Sequence, residues 1–324
     1  MRTAVRILLT LLAALLILIG VATAVLHFVP STSQYLIALT AFAQPLVVAP
    51  LLGVIVCVFL RRWFGIFVGV LTTACCVLIQ LPMILGAPAA DRGVVLTVMQ
   101  ANIDRGRADI SALAKLVEDN HVDVLTVSEL TDSAETQIGD SAIRGTLSYS
   151  FTQPAKDADG TGVYSRFPVE STVAMQGYTL ANLSAVTIVP GGGPVQLYGL
   201  HLVPPYPHAK DWNAEIARAR DTLAQVPAGR ATIAMGDFNS TWDNKQFRRF
   251  LSAGEPGQGG AAGYTDAAEA IGGRWLPTYP TDRWFPPVLA LDHVLVRSAN
   301  VASLRSYSMP GSDHRALIAR VSLG

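Results

Sequence analysis

Acidic, amide and imidazole side chains recur where apolar, strand-like runs of this chain end. The clearest case is Gly236-Asp237-Phe238-Asn239, which follows the apolar run 231–234. An acid and an amide at the C-terminal end of a strand lie where open sheets build their active sites. The same pattern recurs at other predicted strand ends, which carry Asn102, Asp104, Glu129, His201, Asp292, His293, Asp313 and His314.

These residue types suit hydrolysis at phosphorus with the help of a divalent metal. Carboxylates and amides without cysteine are the ligands of a hard cation such as Mg²⁺ or Mn²⁺. Histidines beside carboxylates transfer protons near neutral pH. A cation would neutralise phosphate charge while a carboxylate or an imidazole activates water. The pattern therefore predicts a metal-dependent phosphoric ester hydrolase.

Six short motifs, taken in order, resemble those of the endonuclease/exonuclease/phosphatase superfamily. This is the fold shared by pancreatic-type DNase, AP endonucleases, inositol-polyphosphate 5-phosphatases and bacterial sphingomyelinases. The resemblance covers about Val94 to Val321 and implies a DNase-like, four-layer α/β sandwich of two sheets. The motifs are Asn102 after the first strand, Ser128-Glu129, the strand ending at His201, Gly236-Asp237-Phe238-Asn239, Leu291-Asp292-His293-Val294 and Ser312-Asp313-His314-Arg315.

The resemblance implies a metal site built from three of these positions. Glu129 would be the main ligand, helped by Asn102 and Asp313. Asp104 stands where some members of the superfamily add another acid and others have none. The expected metal is Mg²⁺ or Mn²⁺.

It also implies roles for five catalytic residues. Asp237 would orient or deprotonate the attacking water, and Asn239 would hold a phosphate oxygen. His314 would be the base or charge stabiliser, oriented by Asp292. His201 would be the second histidine, near the leaving group.

Each residue also has a purely structural interpretation. Asn102 and Asn239 are common turn residues. Glu129 could cap the helix predicted after it, and His201 could be a hydrogen-bonded histidine within a strand. In the DNase-like branch a Glu orients the second histidine, and Glu170 is the candidate for that acid here.

Three other histidines are not expected to take part in the site. Two of them match no motif, and the third lies within a motif but at a position that should face the other way. His121 and His208 are predicted to be surface or packing residues. His293 is expected to point away from Asp292, because neighbouring side chains on a strand face opposite sides of the sheet. We therefore assign none of the three to the site.

The apolar residues are concentrated in the first part of the chain. The whole chain is 51% hydrophobic and 15% charged, with a mean hydropathy of +0.38. Residues 1–87 contain four arginines and no Asp, Glu or Lys, which leaves 20 basic and 24 acidic residues, a formal net charge of −4, in the remainder. The sequence thus predicts a membrane domain over 1–87 and a catalytic domain over 88–324.

Three apolar stretches within residues 1–87 are predicted to be transmembrane helices. They run from about Ile7 to Val29, Tyr35 to Leu60 and Trp63 to Leu85, each close to the roughly 20 residues that cross a bilayer. Pro45 and Pro50 should kink the second. The alternative for the first is a cleaved signal peptide, but its apolar run is too long for a typical one and two more stretches follow.

The arginines predict the orientation. Arg2 and Arg6 precede the first stretch and Arg61-Arg62 separates the second from the third, whereas the loop 30–34 is uncharged. The positive-inside rule places both arginine pairs in the cytoplasm. Three crossings would then put the catalytic domain on the extracellular or periplasmic face of a multi-pass plasma-membrane protein.

Residues 88–324 alternate between predicted strands and helices. The runs 94–99 and 122–127 predict strands, and Asp109 is expected to cap the helix between them. Many strands with interspersed helices favour a two-sheet α/β sandwich. All three cysteines, Cys57, Cys75 and Cys76, precede residue 88, so the catalytic domain has neither a disulfide nor a thiolate metal site.

The sequence leaves the substrate open between three possibilities. A membrane phospholipid or a lipid-linked envelope phosphate fits a site held beside a membrane. An extracellular nuclease acting on DNA or RNA is the alternative, although a net charge of −4 argues against tight binding to a nucleic-acid backbone. A non-catalytic receptor or scaffold would lack metal or histidine positions, and none is missing. The aromatic side chains that could form an interfacial rim, or simply pack, are Trp212, Trp275, Trp284 and Phe285.

Overall fold

The computed structural model describes residues 3–252, 263–272 and 275–323. Within these ranges, six helices precede the first strand, and six more lie among the strands. The helices are α1 (Thr3–Phe28), α2 (Gln34–Ala41), α3 (Ala43–Leu46), α4 (Val48–Phe59), α5 (Trp63–Ile79), α6 (Leu81–Leu85), α7 (Ile110–Asp119), α8 (Asp132–Gly139), α9 (Ala142–Thr146), α10 (Pro205–Ala224), α11 (Lys245–Leu251) and α12 (Ala267–Ile271).

Twelve strands of the described residues form two six-stranded mixed sheets. The strands are β1 (Val94–Asn102), β2 (Val124–Ser128), β3 (Tyr149–Gln153), β4 (Thr161–Ser165), β5 (Val169–Ala174), β6 (Leu183–Val189), β7 (Gly193–His201), β8 (Thr232–Asp237), β9 (Thr265–Asp266), β10 (Asp292–Arg297), β11 (Asn300–Tyr307) and β12 (Ala316–Leu323). Sheet A has the order β11-β12-β1-β2-β4-β3, and sheet B has the order β5-β6-β7-β8-β10-β9.

The two sheets pack face to face with helices outside them, which confirms the predicted α/β sandwich. Between the sheets lie small and branched side chains such as Val98, Leu197 and Val294. Outside sheet A, α7 buries Leu113, and its complete burial contributes about 2 kcal/mol. Outside sheet B, α10 and α11 bury large aromatic side chains, including Trp212, so Trp212 is a core residue and not part of a rim.

Local signals start the elements that carry the site. As predicted, Asp109 caps α7, its Oδ1 accepting from the backbone N–H of Ser111 at 2.8 Å and of Ala112 at 3.2 Å. The strands β1 and β2 are parallel, and so are β7 and β8. Parallel neighbours need a crossover, which α7 supplies in the first case and α10 in the second.

The prediction of three transmembrane helices is wrong, whereas the bend expected in the second stretch is present. Only α1, with 26 residues, is both long and apolar enough to cross a membrane by itself among the described helices. A second crossing would require α2 and the α3–α4 pair, which are bent by 65°, to count as one span. The third predicted stretch is divided into α5 and the short α6.

Proline explains where the predicted spans break. Pro45 has no N–H to donate to the carbonyl of Ala41, where α2 ends. Pro50 likewise offers no donor to Leu46, the last residue of α3. Pro82 lies just after the end of α5 and starts the turn of α6.

The N-terminal helices pack against the catalytic part of the chain. Ile37 on α2 and Met83 on α6 belong to the same buried cluster as Trp212 and Phe247. Two polar side chains of α11 extend the contact: Lys245 donates to the carbonyl of Phe28 at 2.5 Å, and Gln246 donates to the carbonyl of Ser31 at 2.8 Å. The N-terminal helices therefore share the hydrophobic core that lies on the outer side of sheet B.

Candidate active site and metal centre

Strand register brings three predicted catalytic residues side by side. His201 at the end of β7 is paired with Asp237 at the end of β8. Asp237 in turn is paired with Asp292, the first residue of β10. All three side chains are buried, so one edge of sheet B presents an imidazole and two carboxylates to the space between the sheets.

His314 reaches this row from the loop before β12. Its Nδ1 lies 2.7 Å from Oδ2 of Asp292, and its Nε2 lies 3.6 Å from Oδ2 of Asp237. The Tyr279 ring lies 4.9 Å from the imidazole, centroid to centroid. The histidine is therefore fixed between two carboxylates, with Nε2 on the side of Asp237.

The two carboxylates determine the charge of His314. Burial lowers the pKa of this imidazole, but Asp292 and Asp237 outweigh burial and raise the pKa to about 10. Burial raises the pKa of Asp237, and Asp292 adds to that rise. Burial by itself would raise the pKa of Asp292, but the charge and the hydrogen bond of His314 bring that pKa below its usual value. His314 is thus cationic at neutral pH.

Asn102 and Glu129 meet at the matching edge of sheet A. The Asn102 amide donates to Oε1 of Glu129 and to Oδ2 of Asp237, both at 3.1 Å. Glu129 adopts a left-handed backbone (φ +63°), a conformation uncommon outside Gly, Asn and Asp. The helix after it is capped by Thr131, which accepts from Ala134. The capping interpretation of Glu129 is therefore wrong.

Three acids close to Asn102 influence one another's ionisation. Burial raises the pKa of Glu129, and Asp313 and Asp104 raise it further. Burial likewise raises the pKa of Asp313, and Asp104 acts in the same direction. Asp104 also pairs with Arg107. Carboxylates that disfavour each other's charge form the donor set that a divalent cation would relieve.

A second group of potential ligand atoms is more compact. Atoms of Asp237, Asp292 and His314 lie within 4.8 Å of one another. Asp292 and His314 already form a 2.7 Å hydrogen bond with each other, and His314 is cationic. This trio is therefore less suited to hold a cation than Glu129, Asp313 and Asn102.

His201 is held through its backbone and not through an acid. Its N–H donates to Oδ1 of Asn182 at 2.9 Å, and its carbonyl accepts from the Asn182 amide at 3.0 Å. Nδ1 is buried without a partner among the described residues, and Nε2 lies 4.0 Å from Asp237. Glu170 is exposed on β5, so it does not orient this histidine.

Asn239 follows Asp237 in a tight turn. Its backbone N–H donates to Oδ1 of Asp237 at 2.8 Å, and its side-chain amide donates to the carbonyl of Leu202 at 2.9 Å. Its φ is +46°, so it is a turn residue as well as a neighbour of the catalytic row. The Oδ1 atom stays free of these bonds.

Sequence reasoning missed four residues that position the site. Gln100 donates to Oδ1 of Asp292 at 3.4 Å, and Thr278 Oγ1 accepts from the backbone of Asp292 at 3.3 Å. Ser312 Oγ donates to the carbonyl of Asn102 at 2.7 Å. Buried Glu215 accepts from the N–H groups of Thr179 and Val203, which flank the His201 region. Of the four, Glu215 carried a sequence signal, because it is an acid on the same face of α10 as the buried Trp212 and Ile216.

The other histidines lie outside the row. His293 points to the opposite face, as expected, where Nδ1 lies 2.6 Å from Asp266 and Nε2 lies 2.9 Å from the carbonyl of Ser240. His121 and His208 are exposed. His293 still supports the site, because Ser240 begins the loop directly after Asn239.

That loop, Ser240–Asn244, is also bound by the N-terminal helices. Oδ1 of buried Asp243 accepts from Gln80 at 2.8 Å and lies 3.0 Å from Nδ1 of His27. The Asn244 amide donates to the carbonyl of Ile37 at 3.1 Å. The helices therefore contact the chain a few residues beyond the catalytic strand end.

Solved structures share this fold. Humanized TDP2 from D. rerio has a TM-score of 0.57 and 17% identity, covering 70% of this chain and 99% of its own. Truncated TDP2 from Caenorhabditis elegans has a TM-score of 0.54 and 18% identity, covering 70% and 98%. An endonuclease/exonuclease/phosphatase from Beutenbergia cavernae has a TM-score of 0.53 and 17% identity, covering 72% of each chain. These identities are low, so the likeness establishes the fold alone. No curated protein matches the chain.

The sequence match is to one family. Residues 99–314 match the Endonuclease/Exonuclease/phosphatase family, and this range includes every predicted site residue. The chain belongs to that family, whose members hydrolyse phosphoesters and typically depend on a divalent metal. The resemblance seen in the motifs is thereby confirmed.

Proposed function

We propose that this chain is a membrane-anchored, divalent-metal-dependent phosphodiesterase. The observation that carries the proposal is the convergence of two groups of side chains in one buried space. His201 and Asp237 come from strand ends of sheet B, whereas Asn102, Glu129 and His314 come from strand ends and loops of sheet A. A structural role does not require acids and imidazoles from two sheets to share one buried space. Hydrolysis at phosphorus does require them, because charge builds up on the phosphate and a water must lose a proton.

The metal would be held by Glu129, Asn102 and Asp313, with Mg²⁺ or Mn²⁺ as the expected ion. The donor set fits because it is oxygen-rich and because the pKa of both acids is raised by burial and by neighbouring carboxylates. When bound, such a cation supplies positive charge to a phosphate oxygen and orients the substrate.

The other side chains would divide the remaining work. Asp237, with its raised pKa, orients the attacking water and accepts its proton. Cationic His314, held by Asp292, stabilises negative charge on the phosphate. Asn239 would donate to another phosphate oxygen after its amide leaves the Leu202 carbonyl. His201 lies near the leaving group.

Membrane anchoring is supported by exposed apolar side chains. Only 22% of the most apolar window of α1 is buried, whereas the core helix of a soluble protein is mostly buried. Large exposed hydrophobic residues cover α1, α4 and α5, among them Leu8, Phe59 and Phe67. An exposed apolar surface of this extent is typical of lipid contact.

The two ends of the helical part differ in charge. At one end, Arg61 and Arg62 lie beside Thr10 in the first half of α1. At the other end, His27 and Gln80 contact the catalytic part. The positive-inside rule then favours the outer face of the membrane for the active site, independently of how many helices cross.

Two substrate classes fit this placement. A phospholipid or a lipid-linked envelope phosphate is the first, since the site is tethered beside the bilayer. Trp284, which is 95% exposed, lies on the loop whose Thr281 donates to the Asp313 carbonyl at 2.8 Å, so an aromatic side chain stands near the site for apolar contact.

An extracellular nuclease is the second candidate. One structural neighbour, TDP2 from D. rerio, was solved in complex with a single-stranded DNA product, and an exposed Trp284 could equally stack on a base. A nuclease would lose activity steeply as salt rises, whereas a lipid phosphodiesterase would depend on how the substrate is presented in a bilayer.

The proposal is tested with the full chain in detergent micelles or nanodiscs. Turnover is measured with Mg²⁺, Mn²⁺ or EDTA on phospholipids, sugar phosphates, single-stranded DNA and plasmid. We expect metal-dependent hydrolysis of one class, lost in Glu129→Gln and retained in Glu118→Gln, an exposed glutamate on α7. No metal-dependent turnover on any member of the panel would refute the function and revive the scaffold interpretation.

A further inference from the structure

A groove runs along the membrane-facing side of the helical part, remote from the active site. It has a volume of about 710 Å³ and is lined by α1, the end of α4 and the start of α5. Its apolar wall includes Ala14, Leu18 and Val21, and its far end contains Arg61, Arg62 and Trp63. We call it the arginine-ended groove.

The two guanidinium groups at its end lack a counter-charge. Residues 1–87 contain no acid, and no ion pair involving Arg61 or Arg62 occurs among the described residues. Both arginines are exposed. A pair of unmatched cations at the end of an apolar groove is complementary to an anionic amphiphile.

Arg61 also occupies a backbone position that favours glycine. Its φ is +56°, and the N–H of Arg62 donates to the carbonyl of Cys57 at 2.9 Å, the pattern that ends many helices with a left-handed glycine. Arginine is disfavoured there relative to glycine, because its Cβ crowds the backbone in the left-handed conformation. The charged side chain of Arg61 is therefore present at this turn despite an unfavourable backbone conformation.

We propose that the arginine-ended groove binds one anionic phospholipid, with an acyl chain along Ala14, Leu18 and Val21 and its phosphate at Arg61 and Arg62. The inference rests on the membrane embedding of the proposed function but not on its catalysis. Basic pockets between membrane helices on the cytoplasmic side bind anionic headgroups in this way. Exposed Trp63 stands beside the arginines, at the depth where tryptophan anchors to headgroups.

The test measures lipid selectivity of the full chain. Purified protein is reconstituted in nanodiscs of equal parts phosphatidylglycerol and phosphatidylcholine, then ejected for native mass spectrometry, which counts each retained lipid. Wild type should retain phosphatidylglycerol preferentially. The double variant Arg61→Gln/Arg62→Gln should lose this preference by roughly 25-fold, since each arginine near an anionic surface contributes about five-fold.

Two further variants separate a site from general attraction. Ala14→Trp, which fills the groove, should displace the retained lipid while leaving both arginines in place. Arg6→Gln removes an exposed charge of α1 that does not line the groove and should leave the preference unchanged. An equal loss in Arg6→Gln, or a preference unchanged in the double variant, would overturn the proposal.

Failure of the proposed function is distinguishable from failure of this inference. Alkaline carbonate extraction of cell membranes tests embedding, and metal-dependent turnover tests catalysis, each on the same preparations. Extraction of the wild type by carbonate would remove the basis of both proposals. Retention in the membrane with equal binding of the two lipids would overturn the groove alone.

Discussion

His314, in the loop before β12, and Asp292, the first residue of β10, form a buried hydrogen bond of 2.7 Å between Nδ1 and Oδ2. This bond fixes the ring so that Nε2 faces Asp237. Removing the negative charge from Asp292 while keeping its shape should therefore misorient His314 and lower the pKa of its imidazole. We expect Asp292→Asn to lower kcat by about 100-fold or more.

Steady-state kinetics at fixed metal concentration would measure this loss. Asp119→Asn, which alters a half-exposed carboxylate on α7, is the matched control and should retain full activity. An active Asp292→Asn variant would show that His314 needs no negative partner.

Glu129 is predicted to lower the stability of the metal-free fold and to bind the metal. Because burial and neighbouring acids raise its pKa, its ionised form destabilises the metal-free fold at neutral pH, so Glu129→Gln should match or exceed wild type in thermal stability in EDTA. The increase in melting temperature that Mg²⁺ or Mn²⁺ gives to the wild type should disappear. Differential scanning fluorimetry with and without metal measures both effects, and an undiminished metal response would contradict the ligand assignment.

The contact between Asp243 and the N-terminal helices makes these helices part of the catalytic fold. Asp243→Ala leaves the buried donors of His27 and Gln80 without their acceptor, at a cost of about 1–3 kcal/mol. The melting temperature of the full chain should fall accordingly, whereas Asp221→Ala, at an exposed site on α10, should change little.

A chain starting at residue 88 provides a stronger version of the same test. It lacks Ile37 and Met83, which complete the cluster around Trp212, and it also lacks the partners of Asp243. We expect this truncated chain to be less stable and less active than the full chain in matched detergent. Equal stability and turnover would show that the helices serve only as an anchor.

The pair of His293 and Asp266 should make stability depend on pH. Burial lowers the pKa of His293, but Asp266 and the Ser240 carbonyl outweigh it, so the folded-state pKa is raised. Since the unfolded pKa is about 6.5, the stabilisation is complete below that pH and is lost as pH rises through the folded pKa.

The measurement compares wild type with His293→Gln from about pH 5.5 to pH 9. The difference in melting temperature should be largest at the acidic end and shrink as pH rises. His208→Gln, at an exposed histidine, should show no such trend. A difference that grows with pH would mean that His293 is neutral in the folded state.

Much of the site could be predicted from the sequence because its residues lie at strand ends. Local patterns place Asn102, Glu129, His201 and Asp237 where strands stop, and Asp109 at the start of a helix, without any knowledge of tertiary contacts. The order of these motifs also indicated the two-sheet sandwich. Such local signals depend on the spacing of apolar residues and on capping residues, both of which can be read directly from the sequence.

Other features depend on residues far apart in the chain. The edge strands β3 and β11 were missed because their half-exposed residues give a weak apolar signal. The number of membrane-competent helices was overestimated because a kink was expected at Pro45 and Pro50, whereas the backbone there is divided into separate helices. The acid that would orient His201 could not be identified from the sequence, and the one candidate named for it, Glu170, is exposed on β5.

The sequence by itself determined which side chains are candidates for the chemistry and which segment is apolar enough for a membrane. Only the tertiary structure decided that Asp292 is bonded to His314, that Nδ1 of His201 has no acidic partner among the described residues, and that Asp243 joins α1 and the α5–α6 junction to the loop after Asn239. The physical reason is that hydrogen bonds and pKa values depend on distances of a few ångströms. Those distances arise from the packing of two sheets and their flanking helices, which no local pattern specifies.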